Sequence, residues 1–152
     1  MAASFSSRRS ERMSAEAAVS LLVNIDVDDL ERATRFYTEA LGLRVGRRFQ
    51  ARWVELLGAP VPIYLLEKQA GSAPSASGLG ARTYGRHWTP VHLDIVVQSI
   101  ERAVDAALQA GAVQESPIAH EPYGRIAMFA DPFGHGFCLI EFRAPGYDAE
   151  GL

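Results

Sequence analysis

The chain has 152 residues, of which 48% are hydrophobic and 22% charged, and its formal net charge is −3. That length suits one domain with a buried core, and the absence of a strongly basic region argues against nucleic acid as a partner. The apolar runs are too short to cross a bilayer, and the single cysteine, Cys138, excludes an internal disulfide. We expect a soluble, cytoplasmic protein that binds neither nucleic acid nor a membrane.

The sequence predicts one domain between two ends without regular structure. Residues 1–18 are rich in serine, alanine and arginine, and they lack the continuous apolar core of a secretory signal. We predict a disordered extension over residues 1–18, a single domain over residues 19–145 and a tail over residues 146–152.

The first half of the domain has the pattern of a strand, a helix and three strands. A β-branched run at residues 21–27 predicts the first strand. Asp28 and Asp29 supply an N-cap, and apolar residues then recur at helical spacing until Gly42 ends the helix. Strand-like runs follow at residues 43–50, 52–57 and 61–68. We assign this first module to residues 20–68.

The same pattern returns after a linker at residues 69–89. A strand is predicted at residues 91–97, and a helix starts after Ser99 and ends at Gly111. Three further strands are predicted at residues 113–119, 125–130 and 136–142. We assign the second module to residues 90–143.

Two short stretches of sequence support a duplication. The triplet Glu-Arg-Ala at residues 31–33 recurs at residues 101–103, and Leu-Leu-Glu at residues 65–67 corresponds to Leu-Ile-Glu at residues 139–141. Both repeats keep their place within the strand and helix pattern, so we predict two copies of a βαβββ unit. Chance similarity between two amphipathic helices is the alternative.

Two longer segments resemble a known family. Residues 24–45, NIDVDDLERATRFYTEALGLRV, resemble the opening of a vicinal oxygen chelate module, and residues 131–142, DPFGHGFCLIEF, resemble its closing turn and last strand. The family includes glyoxalases, extradiol dioxygenases and metal-free proteins of the bleomycin-resistance type. The resemblance, over about residues 20–143, implies an α+β fold in which two βαβββ modules form a cup-shaped half-barrel sheet around a cavity.

The first strand of each module has one apolar row and one polar row. The apolar rows are Val23, Ile25 and Val27 in the first module, and Leu93, Ile95 and Val97 in the second. Side chains alternate between the faces of a strand, so we expect these rows to pack beneath the helices. The opposite row carries Asn24, Asp26, His92 and Asp94. It faces either bulk solvent or a wet pocket, and the resemblance favours the pocket.

The resemblance also implies where metal-dependent members of the family hold their ion. The four matched positions are Leu22, Tyr64, His92 and Cys138. Leu22 has no donor atom, and Cys138 stands where a carboxylate is expected. A catalytic metal site usually needs three protein ligands, and these four positions do not supply three standard ones. We therefore expect no metal and no other cofactor at these positions. A displaced metal site that uses His92 with other ligands is the alternative.

The candidate site residues follow from the polar row and from aromatic or cationic side chains near it. We predict His92 and Asp94 as catalytic residues, with either one as a general base. The predicted ligand-binding residues are Asn24, Asp26, Trp53, Tyr64, Trp88, Arg125 and Cys138. Trp53 and Tyr64 would supply flat walls, and Arg125 would bind a ligand carboxylate. The segment at residues 82–90, which contains Trp88, is either a lid, a pocket wall or packing for the linker.

Four functional hypotheses remain open from the sequence, and two of them are metal-free catalysis with His92 or Asp94 as the general base and a purely structural or interaction role. The other two are as follows. The first is a glyoxalase/bleomycin-resistance-like protein that binds a small organic molecule and lacks the usual metal site. The second is a metal-dependent lyase or dioxygenase of the same superfamily, which uses His92 with displaced ligands. We also expect a homodimer, which the family and the exposed sheet edges favour.

Overall fold

The computed structural model describes residues 19–150, and its strands and helices follow the predicted repeat. The strands are β1 Val23–Val27, β2 Arg44–Phe49, β3 Trp53–Leu57, β4 Ile63–Glu67, β5 Leu93–Val96, β6 Val113–Gln114, β7 Ala119–Glu121, β8 Gly124–Ala130 and β9 Gly136–Phe142. The helices are α1 Leu30–Leu41 and α2 Ile100–Ala110, and a 3-10 helix spans Gly146–Glu150 within the predicted tail. The predicted extension over residues 1–18 lies outside the described residues.

Each module forms one mixed, open sheet. The first sheet has the strand order β1-β4-β3-β2, in which β1 and β4 are parallel. The second sheet has the order β5-β9-β8-β6, with β5 parallel to β9 and with β7 also paired to β8. The predicted α+β class is confirmed, and two open sheets fit a cup-like half-barrel. Strands β1 and β5 are edge strands, and this places both beside the cavity described below.

The two helices begin differently but end in the same way. Asp29 caps α1, because its side chain accepts a 2.9 Å hydrogen bond from the amide of Arg32. Gly42 and Gly111 end α1 and α2 in the left-handed conformation, as predicted. Neither α1 nor α2, nor any other helix in residues 19–150, is long and apolar enough to cross a membrane.

The start of α2 depends on a residue far along the chain. Ser99 occupies the N-cap position, but its side chain makes no capping hydrogen bond. Instead, a carboxylate oxygen of Glu141 accepts a 2.8 Å hydrogen bond from the amide of Ile100. Glu141 therefore points to the helix side of its sheet, whereas Cys138 on the same strand points to the opposite side. The Glu141 carboxylate satisfies an amide that the local sequence leaves free.

One hydrophobic core joins the two modules. Helices α1 and α2 pack against each other. The rings of Phe36 in α1 and Phe137 in the second sheet form an edge-to-face contact, with 6.4 Å between their centroids. The predicted inward rows contribute, since Val27 is buried and Val23, Ile25, Ile95 and Val97 pack against the core. The modules are thus held together by apolar burial, which is the dominant stabilising term in folding.

One predicted strand is wrong in its extent. The strand expected at residues 113–119 is divided into β6 and β7, which pair with different parts of β8. Pro117 lies in the gap and has no amide hydrogen to donate to the ladder. At the same place Ser116 accepts a 2.9 Å hydrogen bond from the amide of Met128, which replaces a regular strand contact.

Candidate functional site

A cavity of about 420 Å³ lies where the two edge strands, β1 and β5, both supply walls. Its apolar lining consists of Val23, Ile25, Leu41, Ile63, Val91, Leu93, Ile95 and Phe137, together with the ring of Tyr37. The inward rows that pack on the core thus also wall the cavity, which the sequence analysis did not anticipate. The volume falls in the usual range for small-molecule pockets.

The polar lining of this cavity is dominated by histidine. It comprises Asn24, Asp26, His87, Thr89, His92 and His135, so three of the four histidines in the sequence converge here. Asn24, Asp26 and His92 were predicted to border a pocket, and they do so. The other predicted site residues are not among the described residues that line this cavity; they are Trp53, Tyr64, Trp88, Asp94, Arg125 and Cys138.

Two of these histidines form a hydrogen-bonded pair. Nδ1 of His135 lies 3.1 Å from Nε2 of His87, while the outer nitrogens lie 2.7 Å from the carbonyl of Asp26 and 2.9 Å from that of Gly85. Carbonyls only accept, so both outer nitrogens must carry a proton. The pair therefore links the backbone at Gly85 to the backbone at Asp26.

The segment at residues 82–90, which we call the connecting segment, is fixed across the module boundary. Arg82 forms an ion pair with Asp26 of β1 at 2.7 Å, and the hydroxyl of Tyr84 donates to the carbonyl of Lys68 at 2.6 Å. Two of its members, His87 and Thr89, line the cavity. Of the roles expected for it, that of a pocket wall agrees best with this placement.

The connecting segment also requires a glycine in the closing turn of the second module. Gly134 has a φ of +83°, and a Cβ placed on it would lie 2.0 Å from the carbonyl oxygen of Gly85. The amide of His87 donates to the carbonyl of Gly134 at 3.2 Å. Only glycine allows the two backbones to approach so closely.

His92, Asp94 and Cys138 form a second cluster, on the face of the second sheet opposite to its core side. Asp94 is the register partner of Cys138 across β5 and β9, and Nε2 of His92 lies 3.1 Å from Oδ1 of Asp94. The potential donor atoms of all three residues lie within 4.8 Å of one another. From the sequence, Asp94 is a candidate base and, by its residue type, one of several candidate ligands for a displaced metal site. The signal for a third donor was the two-residue spacing of His92 and Asp94, which puts both on one strand face.

The three residues of this cluster differ in exposure. The side chains of His92 and Asp94 are 51% and 40% exposed, whereas Cys138 is buried and has a free thiol. Burial, reinforced by the negative charge of Asp94, raises the pKa of the Cys138 thiol to about 11. His92 and Cys138 line a smaller cavity of about 140 Å³ with Trp88 and Met128, and His92 also lines the larger one.

The corresponding face of the first sheet is occupied by an ion-pair network that the sequence analysis missed. Glu55 is buried, and its carboxylate accepts hydrogen bonds from Arg47 at 2.7 Å and from the hydroxyl of Tyr64 at 3.0 Å. These hydrogen bonds lower the pKa of Glu55 to about 2, and the hydrogen bond from the Arg47 side chain has the largest effect. The polar end of Tyr64 is thereby engaged within the protein. Trp53, half-exposed, packs against Phe49 at 5.4 Å between ring centroids.

Arg125 is likewise engaged within the protein. Its guanidinium forms ion pairs with Glu141 at 2.7 Å and with Glu101 of α2. Both carboxylates have pKa values below their usual range, first because of hydrogen bonds from Arg125. The forked geometry predicted for a ligand carboxylate is thus used to join β8, β9 and α2.

The four positions at which relatives hold a metal do not fit one in this chain. Leu22 offers no donor, and the hydroxyl of Tyr64 is held by Glu55 and Arg47. Only His92 and Cys138 retain donors, which falls short of the three protein ligands that a catalytic site needs.

Comparison with known proteins places the chain in a family. Residues 22–140 match the family model described as a glyoxalase-like domain. No curated protein matches the chain.

Solved structures share the fold at low sequence identity. A member of the glyoxalase/bleomycin resistance protein/dioxygenase superfamily from Sphaerobacter thermophilus is 24% identical with a TM-score of 0.62, covering 84% of this chain and 99% of its own. TnmS3, an antibiotic-binding protein from Streptomyces sp. CB03234, is 20% identical with a TM-score of 0.60, and the match covers 85% of this chain and 99% of TnmS3. FosX, a fosfomycin resistance protein from Listeria monocytogenes, is 17% identical with a TM-score of 0.62, and the match covers 84% of this chain and 95% of FosX.

The family model spans most of the chain, and its description agrees with the duplicated modules and with the residues that carry the resemblance. The chain therefore belongs to the glyoxalase-like domain family of the vicinal oxygen chelate superfamily.

Proposed function

We propose that this chain binds a small organic molecule in the cavity between β1 and β5. The observation that carries the proposal is the convergence of Asn24, Asp26 and three histidines on a cavity whose remaining walls are apolar. Apolar walls stabilise the body of an organic ligand, and a few placed polar groups fix its orientation. The ligand class is accordingly an organic molecule with a largely apolar body and at least one hydrogen-bonding group.

The fold family supports this proposal. TnmS3 is named as an antibiotic-binding protein, and FosX is named as a fosfomycin resistance protein, so the fold serves small molecules in at least two of its structural neighbours. Function resides in the site and not in the fold, so the case for this chain depends on its own cavity.

Two lining residues are held ready for a ligand by other parts of the protein. Asp26 is fixed by its ion pair with Arg82, and His135 is fixed by its hydrogen bonds to His87 and to the backbone of Asp26. Side chains that are already ordered lose little conformational entropy when a ligand arrives. Asn24 and His92 are exposed, and their polar atoms are accessible to a ligand.

A second candidate function is catalysis, and the geometry of His92 and Asp94 favours it. A carboxylate 3.1 Å from an imidazole nitrogen orients the ring, and this arrangement allows the histidine to accept a proton from a bound molecule. His92→Ala would then abolish turnover of a bound molecule but leave its affinity within about threefold. Loss of affinity and turnover together would assign His92 to binding alone. The metal-dependent lyase or dioxygenase alternative would use Asp94 as a third ligand beside His92 and Cys138.

We also propose that the chain forms a homodimer through the open faces of its sheets. Val96 and Met128 lie on the same face as Asp94 and Cys138, and both are about half-exposed or more, as is Trp53 on the first sheet. Large apolar side chains grouped on an open sheet face mark a protein contact surface. Sedimentation velocity of the wild type should show a dimer that Met128→Glu dissociates. A monomeric wild type would contradict this proposal.

The proposed location is the cytoplasm. The only cysteine is a free thiol, which is the state that a reducing compartment maintains. Fluorescence microscopy of the tagged chain in its native host would test this.

The binding proposal is tested by two measurements on the purified chain. Mass spectrometry under native conditions should detect a co-purified organic molecule, and a thermal-shift screen should identify compounds that raise the melting temperature. The screen should include aromatic compounds that carry hydrogen-bonding groups, since the walls are apolar and the polar atoms of Asn24 and His92 are accessible. No co-purified molecule together with no stabilising compound in a broad library would contradict the proposal.

A further inference from the structure

The second sheet carries three donor side chains of different chemistry on one small patch. Parallel pairing of β5 with β9 sets Asp94 beside Cys138, and His92 precedes Asp94 by two residues, so all three side chains emerge from the same face. Their donor atoms lie within 4.8 Å of one another. The patch lies entirely within one module, and it needs neither Leu22 nor Tyr64.

These distances are close to those of a coordination shell. Zinc bonds of about 2.0–2.3 Å in a tetrahedron separate neighbouring donor atoms by roughly 3.3–3.7 Å. The nitrogen of His92 and the carboxylate of Asp94 are already 3.1 Å apart. His92 and Asp94 are both exposed enough to rotate, so a contraction of about 1 Å around a cation requires side-chain motion only.

The donor set selects the kind of ion. Imidazole and thiolate suit borderline cations such as Zn²⁺ and Co²⁺, whereas Mg²⁺ and Ca²⁺ prefer an all-oxygen shell. One thiolate and one carboxylate together balance a divalent charge. On binding, the Cys138 thiol loses its proton to solvent as the metal–sulfur bond forms.

We propose that His92, Asp94 and Cys138 form a three-ligand site for a transition-metal cation of the Zn²⁺ class, in which Asp94 replaces the two family positions, Leu22 and Tyr64, that offer no free donor. Three protein ligands leave one coordination position open, which is the arrangement of catalytic zinc sites. The open position borders the cavity of about 140 Å³ that Trp88 and Met128 also line. His92 also lines the larger cavity, so the metal site is tested with Co²⁺ alone and without any organic ligand.

The single cysteine makes the proposal directly testable with Co²⁺ as the probe. Titration of the untagged, metal-free chain with Co²⁺ should produce a thiolate-to-cobalt charge-transfer band in the near ultraviolet, and only Cys138 can give rise to it. Zn²⁺ added afterwards should abolish the band by displacing the cobalt. Cys138→Ser should show no band at any Co²⁺ concentration.

The other two ligands are tested by affinity. His92→Ala and Asp94→Asn should each weaken Co²⁺ binding at least about tenfold, and both changes fall on exposed side chains, so the fold should be retained by far-ultraviolet circular dichroism. His120→Ala, on the exposed strand β7, is the control and should bind Co²⁺ as the wild type does. Absence of the band in the wild type would overturn the proposal. A band whose affinity is unchanged in both variants would also overturn it, because the thiol would then bind cobalt alone.

Discussion

The hydroxyl of Tyr37 donates a 2.6 Å hydrogen bond to Oδ2 of Asp131, and this bond joins helix α1 of the first module to the closing turn of the second. Both residues are buried, and the other carboxylate oxygen of Asp131 accepts from the amides of Phe133 and His135 at 2.8 Å each. Asp131 thus shapes its own turn and ties that turn to the partner module.

Removing this hydroxyl should destabilise the protein without changing its fold. Tyr37→Phe leaves one oxygen of the buried Asp131 carboxylate without its partner, which costs about 1–3 kcal/mol of unfolding free energy. Urea denaturation would measure the loss, and Tyr147→Phe, on an exposed tyrosine of the 3-10 helix, is the matched control. Equal stability of Tyr37→Phe and the wild type would show that the bond contributes nothing net.

The Glu55 network should make stability depend on acid pH. The pKa of Glu55 is lowered from 4.5 to about 2 in the folded protein, mainly by the hydrogen bond from Arg47. A lowered folded-state pKa stabilises the protein above pH 4.5, and that contribution is lost as the pH falls towards 2. The melting temperature of Glu55→Gln should therefore lie below that of the wild type at neutral pH, and the difference should shrink between pH 4.5 and 2.

A control separates this effect from general acid destabilisation. Glu121→Gln, at the exposed end of β7, should track the wild type across the whole pH range. A wild-type advantage over Glu55→Gln that stays constant from pH 7 to pH 2 would contradict the role assigned to the Glu55 carboxylate.

The histidine pair should control the order of the connecting segment. His135→Ala removes the hydrogen bonds to His87 and to the carbonyl of Asp26, so residues 82–90 lose one of their attachments to the second module. Hydrogen exchange of amides in this segment should accelerate by roughly tenfold, because local opening requires fewer broken contacts. His120→Ala should leave these amides unchanged. Unaltered exchange in His135→Ala would show that Arg82 and Tyr84 suffice to fix the segment.

The two helix starts offer a paired test of capping. Asp29→Ala removes the acceptor for the amide of Arg32 and should cost about 0.5–2 kcal/mol. Ser99→Ala occupies the equivalent position in the second module but should cost less than about 0.5 kcal/mol, since Glu141 caps that helix. Similar losses for the two variants would contradict this difference.

Much of the fold could be predicted from local pattern. The alternation of β1 and β5, the spacing of the two helices and the terminating glycines Gly42 and Gly111 are all visible in sequence, because each depends on neighbours along the chain. The strand predicted at residues 113–119 is too long, because the repeat pattern indicated one strand there and Pro117 interrupts it. The cap of α2 by Glu141 was not predictable, since it joins residues 41 positions apart.

The site was less accessible to sequence reasoning, for a physical reason. The alternate apolar residues Val23 and Ile25, and likewise Leu93 and Ile95, have the pattern of core residues. That alternation cannot show that the same residues also border a gap between two edge strands. The ion pair of Glu55 with Arg47 joins strands through side chains, so it has no periodic signature. The third donor, Asp94, could have been found from its spacing with His92.

The central claim, that the cavity between β1 and β5 is a binding site, is tested most directly by filling it. Asn24 lies on β1 and lines the cavity, so Asn24→Trp should occupy part of that space, whereas Gln109→Trp adds the same side chain on the exposed surface of α2. Isothermal titration with the compound found by the thermal-shift screen should show binding to the wild type and to Gln109→Trp with the same affinity, and no binding to a folded Asn24→Trp. Wild-type affinity in Asn24→Trp would place the ligand elsewhere and contradict the account.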